Sequence, residues 1–237
     1  MSSTAAIEAY LAGADLDVEV VRGSVQQLAE VGGPDTAPLL RRVAEVSSST
    51  GNRRVTFDAL DGLEKVRDER SYLLDAARGH AQNKWLAYHA IIVLGRHATD
   101  AEIWDALSAL RSEISDAELL GAIALAERVR YLEEQWSKQP EAADRLRYVL
   151  DTFRTDWDPI TLTSGEIDRG TDPQAVWSQR KLRDLSAENP EAAAEAVAQA
   201  YRVSVSGPAV WRYRRFLAQF LAPEAQERFR ALDPGEG

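Results

Sequence analysis

The stretch that decides the fold is QNKWLAYHAIIVLGRHATDAEIWDALSALRSEISDAELLGAIALAERV, residues 82–129. Apolar residues recur in it every three or four positions, which is typical of helices with one buried face. Two polar breaks divide the stretch, and Asn83 and Asp100 stand where a side chain can accept the first unpaired N–H groups of a helix. The stretch therefore predicts two consecutive amphipathic helices and the start of a third.

The same pattern returns on both sides of this stretch. NRRVTFDALDGL, residues 52–63, aligns with NKWLAYHAIIVL, residues 83–94, at a constant offset of 31, so that several apolar positions coincide without a gap. Segments 17–31 and 115–129 repeat the pattern less closely. One helix pair cannot bury its apolar face alone, so a repeat of this length predicts helix pairs that stack on one another.

A second self-similarity covers the C-terminal part. DPQAVWSQRKLRDLSAENPEAA, residues 172–193, and SGPAVWRYRRFLAQFLAPEAQ, residues 206–226, share Ala-Val-Trp and then Pro-Glu-Ala. Trp177 and Trp211 occupy equivalent positions, which favours packing between repeats over ligand stacking. Between the two blocks, residues 154–171 show no helical period, and we expect a loop that either contacts a partner or covers the gap between the blocks.

The units resemble HEAT repeats, including the HEAT-like type of the phycobilin lyases. The resemblance rests on an Asn or Asp that opens a helix, on Ala-Ile-x-x-Leu-Gly at residues 90–95, and on the acidic turn Thr99-Asp100 before a second apolar helix. It implies an all-α fold, a right-handed α-solenoid of about six stacked antiparallel helix pairs. On this resemblance the helices that begin near residues 17, 52 and 83 are each the first helix of a pair, and each packs on the helix that follows it in the chain.

The expected organisation has three parts. Residues 1–153 form an N-terminal HEAT-like block with a leading helix, residues 154–171 an irregular loop, and residues 172–237 a C-terminal helical block continuous with the first. The start of the sequence lacks the charged-then-apolar pattern of a secretory signal. Its longest apolar run is too short for a membrane span. We therefore expect a cytoplasmic protein with no membrane partner.

Composition and motifs narrow the chemistry. The chain has no cysteine, which excludes disulfides and thiolate metal sites. The three histidines, His80, His89 and His97, show no metal-binding spacing and are interpreted as structural or surface residues. No phosphate-binding loop and no nucleophile elbow is present. We expect no metal, cofactor or catalytic residue, and an enzyme is the less favoured class.

The leading hypothesis is a protein-interaction scaffold that binds a protein or peptide partner on the concave face of the solenoid. The second helices of each pair and the irregular loop would meet the partner. The alternative is a nucleic-acid-binding or DNA-repair HEAT-like protein that uses a basic and aromatic C-terminal face, although the formal net charge of −10 disfavours a phosphate backbone. A third interpretation is that this face is solvated, with its cations paired to Glu188, Glu191 and Glu195.

The candidate binding residues follow from these two hypotheses. On the second helices and the irregular loop they are Arg41, Arg42, Arg78, Asp105, Arg111 and Trp157. On the C-terminal face they are Trp177, Arg180, Arg212, Tyr213, Arg214 and Arg215.

Overall fold

The computed structural model describes residues 2–31, 33–65, 69–156, 173–200 and 208–232. Every regular element in these ranges is helical, so the predicted all-α class is confirmed. The chain divides into two compact units, Met1–Glu127 and Arg128–Gly237. None of the described helices combines the length and the apolar character that a bilayer crossing requires.

The first unit consists of short helices joined by short connections. They are α1 (Ser3–Leu11), α2 (Val18–Val31), α3 (Ala37–Ser49), α4 (Arg53–Lys65), α5 (Arg70–Arg78), α6 (Lys84–Gly95), α7 (Ala101–Glu113) and the first part of α8 (Ala117–Ser137).

Four of these helices begin on a capping side chain at the position that the repeat predicts. Asn52 and Asn83 each accept the backbone N–H three residues further on, at 3.3 and 3.1 Å. Asp17 and Asp116 each accept the N–H two residues further on, at 2.8 and 3.0 Å. The cap satisfies a donor that the helix itself leaves unpaired, so one local interaction sets the start of α2, α4, α6 and α8.

Helices α2, α4 and α6 pack side by side. Helix α4 contacts α2 on one side and α6 on the other. The approach of α4 to α2 is close at Gly62, where an added Cβ would lie 2.9 Å from the Cβ of Ala29. Helix α6 is surrounded by α3, α4, α5 and α7, and it is buried over almost its whole circumference. This explains why the run 90–95 is continuously apolar.

The helices that pack most closely in pairs are shifted by one helix along the chain from the predicted pairs. Helix α3 packs closely on α4, and α5 on α6, whereas the sequence frame joined α2 to α3 and α4 to α5. The turn before α4 explains this, because Gly51 adopts a φ of 79° and the N–H of Asn52 bonds the Ser47 carbonyl at 2.8 Å. Such a tight reversal folds α3 directly back onto α4.

The second unit contains the remainder of α8 and five further helices. They are α9 (Ala142–Asp156), α10 (Pro173–Glu188), α11 (Pro190–Gln199), α12 (Pro208–Ala218) and α13 (Pro223–Leu232). Helix α11 packs on α9, α10, α12 and α13. Residues 154–156, predicted to belong to the irregular loop, continue α9, and residues 157–172 lie outside the described ranges.

A buried hydrogen bond joins the two C-terminal copies. The Ser186 hydroxyl near the end of α10 accepts the N–H of Ala222, just before α13, at 2.7 Å across 36 residues. Both atoms are buried, so the bond satisfies two polar groups inside this core. An aromatic cluster completes this core, with Phe153 stacked on Phe220 at 5.9 Å and Phe216 edge-on to both.

Candidate binding surface

The most developed polar and aromatic feature of the first unit is a line of side-chain contacts between α4 and α6, which we call the α4–α6 ladder. On α4 it comprises Arg53, Phe57, Asp61 and Glu64, which lie three or four residues apart and therefore share one face. On the α6 side it comprises Trp85, Tyr88, His89, Arg96 and His97. Its N-terminal half is aromatic, and its C-terminal half is ionic.

The aromatic half is ordered by edge-to-face and cation–π contacts. The Arg53 guanidinium lies 3.1 Å from the centroid of the half-buried Trp85 ring. Tyr88, also half-buried, lies edge-on to Trp85 at 6.0 Å. Below them the buried His89 ring meets Phe57 at 5.6 Å and Tyr88 at 5.2 Å. The result is a partly exposed aromatic surface whose side chains already hold one another in place.

His89 has an unusual environment for a polar ring. It is only 9% exposed, and neither ring nitrogen finds a hydrogen-bond partner among the described residues. Burial, with a smaller contribution from the positive charge of Arg53, lowers the pKa of His89 to about 4. His89 is therefore neutral at physiological pH, and the sequence interpretation of it as a structural histidine agrees with this position.

The ionic half is a buried charge network. Arg96 is 6% exposed, and its Nη1 donates to Asp61 Oδ1 at 2.6 Å and also to Glu64. His97 Nε2 lies 2.8 Å from the other oxygen of Glu64. Burial by itself would raise the pKa of Glu64, but the bond with His97 and the charge of Arg96 outweigh it and lower that pKa to about 2. The network clamps the C-terminal ends of α4 and α6 together.

Ion pairs extend the same row of helices on both sides. Arg22 on α2 donates to Asp58 on α4 at 2.7 Å, yet burial still raises the pKa of Asp58. Lys84 at the start of α6 pairs with Asp116 and Glu118 near the start of α8, at 2.7 and 2.5 Å. Consecutive equivalent helices are thus joined by opposite charges that neutralise each other.

In the second unit Glu133 joins a tryptophan to a lysine that lies beside a second tryptophan. Glu133 on α8 accepts the Trp177 indole N–H at 2.7 Å and the Lys181 ammonium at 2.8 Å. The Lys181 nitrogen also lies 3.6 Å from the Trp136 ring centroid. Trp177 is 4% exposed and meets Tyr148 of α9 edge-on, so the predicted packing role of Trp177 is confirmed. The Trp211 side chain lies outside the described part of the chain.

The candidate residues on the second helices do not form one cluster in the described contacts. Arg41 is half-buried, donates to Glu69 at 2.7 Å and lies 5.1 Å from the Tyr72 ring. The others are exposed, with Arg78 paired to Asp75 of its own helix and Arg111 paired to Glu127. The exposed residues of this group are Arg42, Arg78, Asp105 and Arg111.

The candidate residues of the C-terminal face differ in their exposure to solvent. Arg180 and Arg215 are exposed, whereas Tyr213 is 1% exposed and belongs to the core. Arg214 donates to the Ala200 carbonyl at 2.9 Å. Trp157 and the Arg212 side chain lie outside the described residues.

Sequence reasoning missed the α4–α6 ladder because it searched the second helices and the C-terminal block. A usable signal was present in the alignment at offset 31, which places Arg53 over Lys84 and Phe57 over Tyr88. Equivalent positions on adjacent helices of a stack lie near one another, so repeated non-aliphatic positions mark a shared surface.

In the described ranges no group of three or more His, Asp or Glu side chains is placed to hold a metal ion. In the ionic half of the ladder the acidic and basic groups are bonded to one another, while Trp85 and Tyr88 in the aromatic half are half-buried. Comparison of the chain with protein-family models, curated proteins and solved structures finds no match.

Proposed function

We propose that this protein is an interaction scaffold, a HEAT-like right-handed α-solenoid of about six antiparallel helix pairs that binds a protein or peptide partner on its concave face. The observation that carries the proposal is the packing of α2, α4 and α6 side by side in chain order. Equivalent helices meet in this way when repeats stack in a row. A row of helices presents an extended surface of repeated side chains, which suits a macromolecular partner.

The α4–α6 ladder is the best-supported contact surface for that partner. Trp, Tyr and Arg carry a disproportionate share of binding energy at protein interfaces. Trp85 and Tyr88 are half-buried, and Arg53 lies on the Trp85 ring, so these side chains lose little freedom when a partner covers them. The buried ionic half beneath them fixes the spacing of α4 and α6. The surface is thus ordered before binding.

The nucleic-acid alternative has less support. Of the basic and aromatic side chains on which it depends, Lys181 and Trp177 bind Glu133, and Arg214 binds a backbone carbonyl. The net charge of −10 also opposes the approach of a polyanion. The two functions are separable by titrating a labelled single-stranded oligonucleotide at low and high salt. Tight binding that weakens as salt rises would favour the alternative.

The test of the scaffold proposal is affinity capture with matched variants. Purified wild-type chain, an Arg53→Ala/Trp85→Ala variant and a Tyr131→Ala variant are immobilised at equal density and exposed to lysate of the source organism. Tyr131 is the matched control because it is an exposed aromatic residue, 50% exposed, on α8. Circular dichroism of each variant checks that the helical content is kept.

The expected result is one or a few proteins retained by the wild type and by Tyr131→Ala, and lost from the double variant. A retained protein is then purified and its affinity for each variant measured directly. Equal affinity for all three chains would remove the ladder as the partner surface. The absence of any saturable protein partner would overturn the scaffold function itself.

A further inference from the structure

A cleft between the last two helices of the second unit has the chemistry of an anion site. Its volume is about 310 Å³, and it is lined by Arg215, Ala218 and Gln219 of α12 and the following turn, and by Gln226, Phe229 and Arg230 of α13. Each wall therefore supplies residues at positions i, i+3 and i+4, which share one face of a helix. Each wall places one apolar residue between a guanidinium and a carboxamide.

Arg215 of α12 and Arg230 of α13 both line the cleft. Only residues 219–222 separate α12 from α13. Gln226 closes the turn end, because its Nε2 donates to the carbonyls of Gln219 and Leu221 at 3.3 and 2.8 Å. Arg215 and Arg230 each lie one helical turn away from this closure. The cleft is therefore lined by one arginine from each helix, with Gln226 at the turn.

The floor of the cleft is apolar and the rim is cationic. Phe229 is 3% exposed and Ala218 is 9% exposed, whereas both arginines are exposed. On the same helix Arg228 pairs with Glu224 and Glu191, but Arg230 has no ion-pair partner in the described part of the chain. The chain has 38 acidic and 28 basic residues, so carboxylate partners outnumber the cations. Arg230 is therefore unusual in having no such partner in the described residues.

The feature is particular to the last helix pair. At the offsets of the two C-terminal copies, the preceding pair carries Lys181 and Leu185 on α10, and Ala193 and Val197 on α11. Lys181 is bound to Glu133, and its counterpart on the other wall, Val197, is apolar. The preceding copy packs with valine at the position of Arg230, so packing does not require an arginine there.

We propose that the α12–α13 cleft binds an oxyanion carried on a small aromatic or apolar body, with the arginines on the oxyanion and Phe229 under the apolar part. A guanidinium donates paired N–H groups in a geometry that matches carboxylate and phosphate oxygens. The volume lies at the small end of the range for ligand pockets, which suits a compact ligand. The protein's overall negative charge repels anions at long range, so the affinity comes from these local contacts.

The test uses phenyl phosphate, benzoate and inorganic phosphate as probes, titrated separately into the ¹⁵N-labelled chain and followed by NMR. We expect saturable shifts at α12 and α13 with phenyl phosphate, benzoate or both, and weaker binding of inorganic phosphate. Binding of both aromatic probes means that the cleft accepts any such oxyanion. Binding of only one identifies a phosphate or a carboxylate as the natural group.

The variants are Arg230→Gln and Arg215→Gln, with Arg183→Gln on α10 as the control because Arg183 is exposed and lies outside the cleft. Loss of one charge-assisted contact should reduce affinity roughly tenfold or more in Arg230→Gln, and leave Arg183→Gln unchanged. Arg230 is exposed, so its variant keeps the fold, which circular dichroism checks. The proposal is overturned by no saturable binding of either aromatic probe, by unchanged affinity in Arg230→Gln, or by an equal loss in Arg183→Gln.

Discussion

In the first unit charged side chains join the helices, whereas in the second unit aromatic side chains do most of this. Arg22 reaches Asp58 across 36 residues, and Asp61 reaches Arg96 across 35, so each link spans about one repeat. In the second unit Phe153 stacks on Phe220 with Phe216 edge-on to both, and Glu133 accepts a hydrogen bond from Trp177 across 44 residues. The longer span reflects α9 and residues 157–172, which come between the two partners in the chain.

This difference predicts how the stability of each unit responds to substitutions and to pH. A buried ion pair contributes little net stability, but removal of one partner leaves an uncompensated charge. An aromatic side chain contributes through the apolar area that it buries and through close packing. The first unit should therefore be sensitive to charge removal and pH, and the second to truncation of large side chains.

The largest effect is expected from Trp177→Ala in the second unit. The change removes a nearly buried indole and leaves Glu133 without that donor, so the free energy of unfolding should fall by about 3–5 kcal/mol. Tyr131→Ala, at an exposed position, should cost less than about 1 kcal/mol. Urea denaturation measures both. A loss below about 1 kcal/mol for Trp177→Ala would show that the second unit does not depend on this packing.

Arg96→Met should have the largest effect in the first unit. The substitution keeps much of the side-chain volume but leaves Asp61 and Glu64 without their buried cation, which should cost about 3 kcal/mol. Arg70→Ala is the control, because the pair that it makes with Asp100 is exposed and its loss should leave the free energy of unfolding nearly unchanged. Similar unfolding midpoints for the two variants would contradict a special role for burial.

Mild acid should weaken the first unit before the second. The pKa of His89 falls from 6.5 to about 4 on folding, so the folded state binds fewer protons than the unfolded state between these values. The free energy of unfolding is therefore highest above pH 6.5 and decreases as the pH falls toward 4. The loss between pH 6.5 and 4.5 is about 2–3 kcal/mol. All three histidines of the chain lie in the first unit. Glu64, with a pKa of about 2, adds a further loss only below pH 4.5.

Hydrogen exchange resolved by peptide measures this pH dependence separately in each unit. His89→Phe removes the titrating group and keeps an aromatic ring between Phe57 and Tyr88. The variant should therefore lose the slope between pH 6.5 and 4.5 in α4 and α6. A slope of the same size in the variant would assign the pH dependence to other groups.

The smallest effect concerns the close approach of α4 and α2. Gly62→Ala should destabilise by about 1 kcal/mol, because the clash of the new Cβ with Ala29 outweighs the gain in helix propensity. Gly23→Ala in α2 is the matched change, since nothing lies within 4 Å of its added Cβ, and it should stabilise by about 0.5–1 kcal/mol. Thermal unfolding of the two variants measures the contrast, and shifts of the same sign would contradict the close approach.

Part of the candidate site was predictable and part was not. The position of Trp177 in the core followed from its repeat in the two C-terminal copies, because a repeated tryptophan is expected to pack the same way twice. The burial of Arg96 did not follow, since arginine is usually exposed and its partners Asp61 and Glu64 lie more than 30 residues away. The cleft of Arg215 and Arg230 likewise depends on two helices meeting.

The sequence by itself determined where several helices begin and that the described part of the chain is all-α, because caps and apolar periodicity act within a few residues. Only the tertiary structure decided that α3 folds onto α4, that Arg96 is buried, and that Glu133 binds Trp177 and Lys181. These outcomes depend on contacts between residues far apart in the chain. Burial and charge pairing are properties of the assembled neighbours, which no single helix specifies.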